Sequence, residues 1–235
     1  MPDSGLTAAI VLTAAVRQAE AAATFNFNGG TSGFTATSDA VFLGPWVYGA
    51  AAGVGGTGGW TTDGQGPENS QPQLNTTRLT SPSLTVEATG SVVVSFDHMF
   101  SFEQGGGNWD GGALFMSLNG GAMTYVGSAA FTSNGYNGAV VAGNSALTNQ
   151  EAFVQDSADR AAGTFLNSVA NLGSFTAGDQ LQVQFVAAYD TNTQGAFLPG
   201  WVIDNITVAG VIPEPASTAS LLGAGMLLAM RRRRA

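Results

Sequence analysis

Between Thr24 and Ile212, apolar side chains recur at every second position, and no stretch carries helical spacing over an ordinary helix length. Val92, Val94 and Phe96 alternate with Val93, Ser95 and Asp97; Leu114, Met116 and Leu118 alternate with Ala113, Phe115 and Ser117; Leu181, Val183 and Phe185 alternate with Gln182, Gln184 and Val186. Successive side chains of a strand point to opposite faces, so a period of two reads as strand. Ser91 to Phe102 has apolar residues on both faces, which places it centrally in a sheet. Trp201 to Val208 forms a closing strand, and Asn119-Gly120 is a hairpin signal after Leu118. Phe25, Phe27 and Phe34 flank a turn at Gly29-Gly30, Phe42 to Tyr48 is a short strand interrupted by Pro45, and Arg78 to Val86 leads into another. Asn134 to Ser145 reads as loop and Ser157 to Asn171 as loop or weak helix. Short strands divided by Gly and Asn turns predict an all-β, antiparallel two-sheet sandwich.

Charge narrows the partners. Between Thr24 and Ile212 stand 2 basic and 13 acidic residues, a net charge near −11. A phosphate backbone would be repelled, which argues against nucleic acid, while divalent cations and neutral glycans remain compatible. The chain contains no Cys, which excludes disulfides and thiolate metal sites.

The two ends have a different character. Leu6 to Val16 is an apolar, Ala-rich run followed by Ala21-Ala22-Ala23, the pattern of a secretory leader with cleavage near Ala23, although no Lys or Arg precedes the run. The uncharged stretch from Ala216 to Met230 would make a transmembrane helix of ~22 Å, short against a bilayer core of ~30 Å. Arg231 to Arg234 follow it and should stay on the cytoplasmic side, holding the body of the chain outside the cytoplasm.

Pro213-Glu214-Pro215, a short apolar span containing Leu221-Leu222-Gly223 and Met226-Leu227-Leu228, and the cluster Arg231, Arg232, Arg233 and Arg234 occur in that order. This resembles the bacterial PEP-CTERM sorting signal. The resemblance implies processing by an exosortase near the tripeptide. It also implies a transient inner-membrane anchor, followed by release or transfer to the cell surface. The expected organisation is a signal peptide over 1–23, a β-sandwich over 24–209, and a sorting signal over 210–235. A permanent tail anchor is the alternative.

Three stretches within the sandwich resemble MAM-like, concanavalin-type jelly-roll modules of bacterial secreted proteins: Val94 to Glu103, Trp109 to Gly121, and Gly200 to Val208. The shared features are a strand ending in an aromatic/acid pair, an Asp-Gly-Gly before a hairpin, and a final Gly-Trp-Val-Ile-Asp-Asn-Ile strand. The resemblance implies a jelly roll with an adhesive or glycan-binding accessory role; it does not imply catalysis. Residues 127–175 show no such correspondence.

Exposed aromatics are the natural platforms for sugar, and Trp60, Trp109 and Tyr136 stand in Gly-rich or loop sequence. Trp201 alternates with Ile203 and belongs to a core face, and Trp46 flanks the Gly-rich loop on its other side. Asp97, Glu103, Asp110 and Asp204 are candidate ligands for a structural Ca²⁺, which takes carboxylate and carbonyl oxygens, although no D-x-D-x-D-G loop is present. His98 is the only His. It is consecutive with Asp97 on a strand, so the two point to opposite faces and cannot pair in a Ser-His-Asp triad. Gly53-Val54-Gly55-Gly56-Thr57-Gly58 matches G-x-G-x-x-G but does not open a helix, so no dinucleotide site is expected. Asn75-Thr76-Thr77 and Asn205-Ile206-Thr207 match N-x-[ST] by coincidence. The favoured reading is a non-enzymatic, polysaccharide-binding or adhesive protein of the cell surface or extracellular matrix. A glycan hydrolase with a carboxylate pair drawn from Asp97, Glu103 and Asp110 is one rival, and a purely structural surface component is another.

Overall fold

The computed structural model of the chain describes residues 21–39, 46–62, 75–103, 105–141, 146–190, 197 and 199–213. In chain order its strands are β1 Ala22–Phe25, β2 Thr35–Ser38, β3 Val47–Gly49, β4 Gly59–Thr61, β5 Asn75–Thr80, β6 Leu84–Val86, β7 Gly90–Phe100 and β8 Gly111–Leu118. They continue as β9 Thr124–Tyr125, β10 Phe131–Ser133, β11 Gly138–Ala139, β12 Glu151–Ala152, β13 Leu166–Phe175, β14 Gln180–Tyr189, β15 Trp201–Ala209 and β16 Val211–Pro213. Among the described residues, helical structure is limited to three short 3₁₀ turns, and no helix is long and apolar enough to cross a membrane.

Two seven-stranded antiparallel sheets form a sandwich. The first runs β10-β13-β7-β15-β4-β3, with β1 also on β15; the second runs β16-β6-β14-β5-β2, with β8 on the other side of β14 and β9 beyond it. A separate pair, β11-β12, lies outside both. β15 and β14 play matching roles. β15 carries β7 on one edge and β4 and then β1 on the other, while β14 carries β8 on one edge and β5 and β6 on the other.

In β7 the alternation read from the sequence is the alternation of burial, whereas in β8 Ala113 and Ser117 are buried and Leu118 is exposed. Val92, Val94, Phe96, His98 and Phe100 of β7 face the interior, and Val93, Ser95, Asp97 and Met99 are half-buried on the other face. β7 lies between β13 and β15, a central position. The interior is aromatic: Phe96 of the first sheet meets Phe185 of the second edge-on at 5.0 Å between ring centroids, and Trp201 touches Trp46, Phe102, Phe153 and Phe185. Gly111-Gly112 opens β8 because this layer leaves no room for a side chain. A Cβ on Gly112 would lie 2.4 Å from the Trp201 ring, and one on Gly111 would lie 2.9 Å from Val140.

Asn119 and Gly120 both take positive φ, 52° and 72°, and join β8 to β9 in the turn expected there. Ser157 to Asn171, read as loop or weak helix, is corrected. Its second half belongs to β13, which pairs along β7 from Leu166↔His98 to Phe175↔Gly90. The segment from Phe25 to Phe34 leaves one sheet and joins the other, since β1 pairs with β15 and β2 with β5.

Both ends of the described chain are built into sheets. Ala22 pairs with Ala209 and Ala23 with Val208, so the expected leader boundary at Ala23 falls inside β1. Pro213, the first residue of the sorting tripeptide, is the last of β16 and lies opposite Leu84. The expected signal helix, Glu214, Pro215, the apolar span and Arg231 to Arg234 lie outside the described residues.

Candidate functional site

Three carboxylates meet at one end of the sandwich. Glu103 follows β7, Asp110 immediately precedes β8, and Asp190 immediately follows β14. The pairing of Ala188 with Gly111 brings the last two segments side by side. One carboxylate oxygen from each residue lies within 4.8 Å of the others. Asp110 is only 1% exposed; its Oδ1 accepts the Asp190 amide hydrogen at 2.9 Å, while its Oδ2 is buried without a hydrogen-bond partner. Glu103 is buried, and its Oε2 is likewise without a partner. Burial first, then the charges of Asp190 and Glu103, push the Asp110 carboxyl up to about 8, although backbone amides of Asp190 and Glu103 favour its charged form. Burial and the charge of Asp190 also raise Glu103. The two arginines of the described chain are engaged elsewhere: Arg78 forms an ion pair with Asp39, and Arg160 donates to the Pro199 carbonyl and lies over Phe197.

Trp109 stands beside this cluster and is partly exposed. Its Nε1 donates to the Gly105 carbonyl at 3.0 Å, which fixes the indole on its own loop. Asn108 ties that loop to the neighbouring segments. Its Nδ2 donates to the Ala139 carbonyl, its Oδ1 accepts from Gln155 Nε2, and its carbonyl accepts the Val141 amide.

The remaining candidates do other work. Trp60 is 5% exposed and packs against Phe27 and Tyr48, so it offers no exposed platform. Tyr136 is also not a free ring: its hydroxyl donates to the Val126 carbonyl and accepts the Leu114 amide, and its face stacks on Tyr125. Asp204 is fully buried under the Gly-rich loop. Its Oδ2 accepts from the Val54 amide at 2.9 Å and the Thr57 hydroxyl at 3.0 Å, and its Oδ1 accepts the Asn205 amide. A Cβ on Gly53 would fall 2.4 Å from that Oδ2, so the glycines of the G-x-G-x-x-G match admit a carboxylate of the protein itself. Asp97 accepts from Asn167 Nδ2 and Asn205 Nδ2. Neither Asp97 nor Asp204 joins the cluster, which draws Glu103 and Asp110 from the sequence candidates and adds Asp190.

His98 is completely buried on the core face of β7. Trp201 Nε1 lies 3.2 Å from its Nδ1, and an indole nitrogen can only donate. Nδ1 therefore accepts, and Nε2 carries the hydrogen and donates to Ser168 Oγ at 2.8 Å. Ser168 passes its own hydrogen to the Asn134 carbonyl at 2.5 Å. Burial pulls the imidazole down to about 3, so it is neutral and structural at any ordinary pH.

No family model and no curated protein matches the chain. Among solved structures it is similar to the xylan-binding CBM22-1 domain of Xyn10C from Paenibacillus barcinonensis, at 12% identity over 85% of this chain and 100% of that one, with a TM-score of 0.43. It is similar to TmCBM61 in complex with β-1,4-galactotriose, at 13% identity over 77% and 90% of the two chains, with a TM-score of 0.39. It is also similar to the K1 cleaved adhesin domain of Lys-gingipain from Porphyromonas gingivalis, at 13% identity over 80% and 97%, with a TM-score of 0.42. The class defined here by fold and site is an all-β sandwich with a buried acidic cluster beside a partly exposed tryptophan.

Proposed function

We propose that this protein is exported, sorted by an exosortase, and presented at the cell surface or in the extracellular matrix as a non-enzymatic, polysaccharide-binding or adhesive jelly roll. The observation that carries the binding reading is Trp109. A partly exposed indole, held in place by its Nε1 bond, offers an apolar face on which a sugar ring can stack. The strongly acidic body favours neutral polysaccharide over anionic polymer. Hydrolysis is disfavoured by geometry, because the Asp110 carboxyl is buried and its free oxygen is closed to solvent.

The test is retention by immobilised neutral polysaccharides. Wild-type protein is expected to be retarded on at least one of them, and Trp109→Ala to lose about 1–3 kcal/mol of that affinity while keeping its far-UV circular dichroism. A variant that binds as well as wild type removes Trp109 from the site. Sugar release by wild type but not by Asp110→Asn would favour the hydrolase instead.

The sorting reading is tested on protein recovered from the native cells. Intact-mass analysis is expected to find a chain that ends at or near the Pro213-Glu214-Pro215 tripeptide and lacks the Arg231 to Arg234 cluster. At the other end, cleavage after Ala21 satisfies the small-residue pattern through Ala19 and Ala21 and keeps all four β1 pairs, whereas cleavage after Ala23 removes two of them. The expected new N-terminus is Ala22. A mass that includes both ends uncut would refute the export route.

A further inference from the structure

Glu103, Asp110 and Asp190 form an arrangement that is incomplete as it stands. Glu103 and Asp110 lie on the one connection between β7 and β8, Asp190 follows β14 some 80 residues later, and their carboxylates converge within 4.8 Å. Two of the oxygens, Asp110 Oδ2 and Glu103 Oε2, are buried and without a partner, and Asp110 is 99% withdrawn from solvent. Asp110 has the Asp190 amide on Oδ1, but a buried carboxylate oxygen that meets neither a donor nor a cation is still costly, and two like charges beside it add to the cost. A bound cation removes both penalties at once.

We propose that Glu103, Asp110 and Asp190 bind one Ca²⁺ ion, which fastens the loop carrying Trp109 to the ends of β7 and β14. The donors are all hard oxygens, which suit Ca²⁺ or Mg²⁺ and not the softer transition metals. Oxygens at ~2.3–2.6 Å from a Ca²⁺ ion can stand up to ~5 Å apart across it, a span that contains this cluster. Mg²⁺ holds its oxygens at ~2.0–2.1 Å in a strict octahedron and gives up water reluctantly, so three partly buried carboxylates on separate segments serve it less well. Trp109 is the residue next to Asp110 and belongs to a loop that Asn108 anchors at the other side. The ion therefore sets the position of the indole. Only that last consequence rests on the polysaccharide reading; the site itself does not.

The experiment uses the full chain, stripped with EDTA and titrated with CaCl₂ by calorimetry and by thermal melting, with MgCl₂ as a parallel arm. The expected result is one Ca²⁺ per chain, a Tm higher by several degrees at saturation, a change in tryptophan fluorescence, and a smaller response to Mg²⁺. Asp110→Asn keeps an oxygen for the Asp190 amide, so it should stay folded and lose the Ca²⁺ response; Glu103→Gln should weaken it. Trp109→Phe should keep the Tm shift and lose the fluorescence change. The proposal is overturned by a folded wild type with no heat and no Tm shift at millimolar Ca²⁺, by a response that survives in Asp110→Asn, or by a larger response to Mg²⁺. Ca²⁺ binding without retention on any polysaccharide would sink the glycan reading alone. Retention that EDTA leaves untouched, with no Ca²⁺ bound, would sink the cation site alone.

Discussion

Trp201→Ala is expected to leave little folded protein at 37 °C. Trp201 is fully buried where both sheets meet, in ring contact with Trp46, Phe102, Phe153 and Phe185. Truncating a buried Trp to Ala costs ~3–5 kcal/mol through lost burial and the cavity left behind. His98 Nδ1 would also lose its donor, adding ~1–3 kcal/mol for an orphaned buried acceptor. That sum rivals the whole stability of an ordinary domain, ~5–15 kcal/mol. Trp201→Phe fills most of the volume and should cost less, chiefly the missing indole donor. Gly112→Ala attacks the same contact from the opposite sheet, since its Cβ would stand 2.4 Å from the indole ring. Urea titration followed by near-UV circular dichroism checks all three. If Trp201→Ala unfolds within ~1 kcal/mol of wild type, the indole is not the keystone that its burial and its bond to His98 make it.

Strands whose inner face is filled with large apolar residues were legible in advance. β7 alternates cleanly in burial, β8, β14 and β15 are buried on both faces over much of their length, and β7 pairs with β15 and β8 with β14 in the antiparallel sandwich that the strand pattern predicts. β13 was not legible because its inner face is Ser168, Ala170, Leu172 and Phe175, with Gly173 at positive φ shifting the register. Small and polar residues there hide a core strand. Ser168 is polar because it receives the hydrogen of His98, a partner 70 residues away. Trp60 misled for a related reason: the glycines before it suggest an exposed loop, whereas they let the chain approach Asp204 and Phe27 closely.

The acidic cluster shows the same limit. Asp97, Glu103, Asp110 and Asp204 are equivalent as letters. What separates them is who donates to each: Asn167 and Asn205 to Asp97, the Val54 amide and Thr57 to Asp204, and nothing to the free oxygens of Glu103 and Asp110. Asp190 enters only through the register of β14 against β8, which sequence spacing does not reveal.

Acidification is expected to destabilise the fold through His98. Its folded value lies at about 3, below its unfolded value near 6.5, because burial disfavours the imidazolium. Below pH 6.5 the unfolded chain binds a proton that the folded chain refuses. Stability from this group is therefore intact above pH 6.5 and falls by ~1.4 kcal/mol per unit until pH approaches 3. Over that window the loss reaches ~5 kcal/mol. Asp110 works in the opposite sense in protein without bound cation. Its carboxyl titrates at about 8 when folded, above the ordinary 3.8, so stability is present below 3.8 and is lost as pH rises toward 8. The two slopes oppose each other between 3.8 and 6.5, and a wild-type profile alone would show a broad plateau. The His98 contribution is isolated by difference. His98→Phe has no imidazole to protonate and leaves Trp201 Nε1 and Ser168 short of a partner, so it should be less stable at pH 7 by ~2–4 kcal/mol. The Asp110 contribution is common to both proteins and cancels in the comparison. Denaturant melts of the pair in EDTA should then converge as pH falls below 6.5 and cross before pH 3, because wild type alone loses ~5 kcal/mol over that window, more than the starting gap. A gap that stays constant with pH would mean that the buried imidazole accepts a proton in place, which its two bonds, one accepted from an indole and one donated to a serine, leave it no vacant lone pair to do.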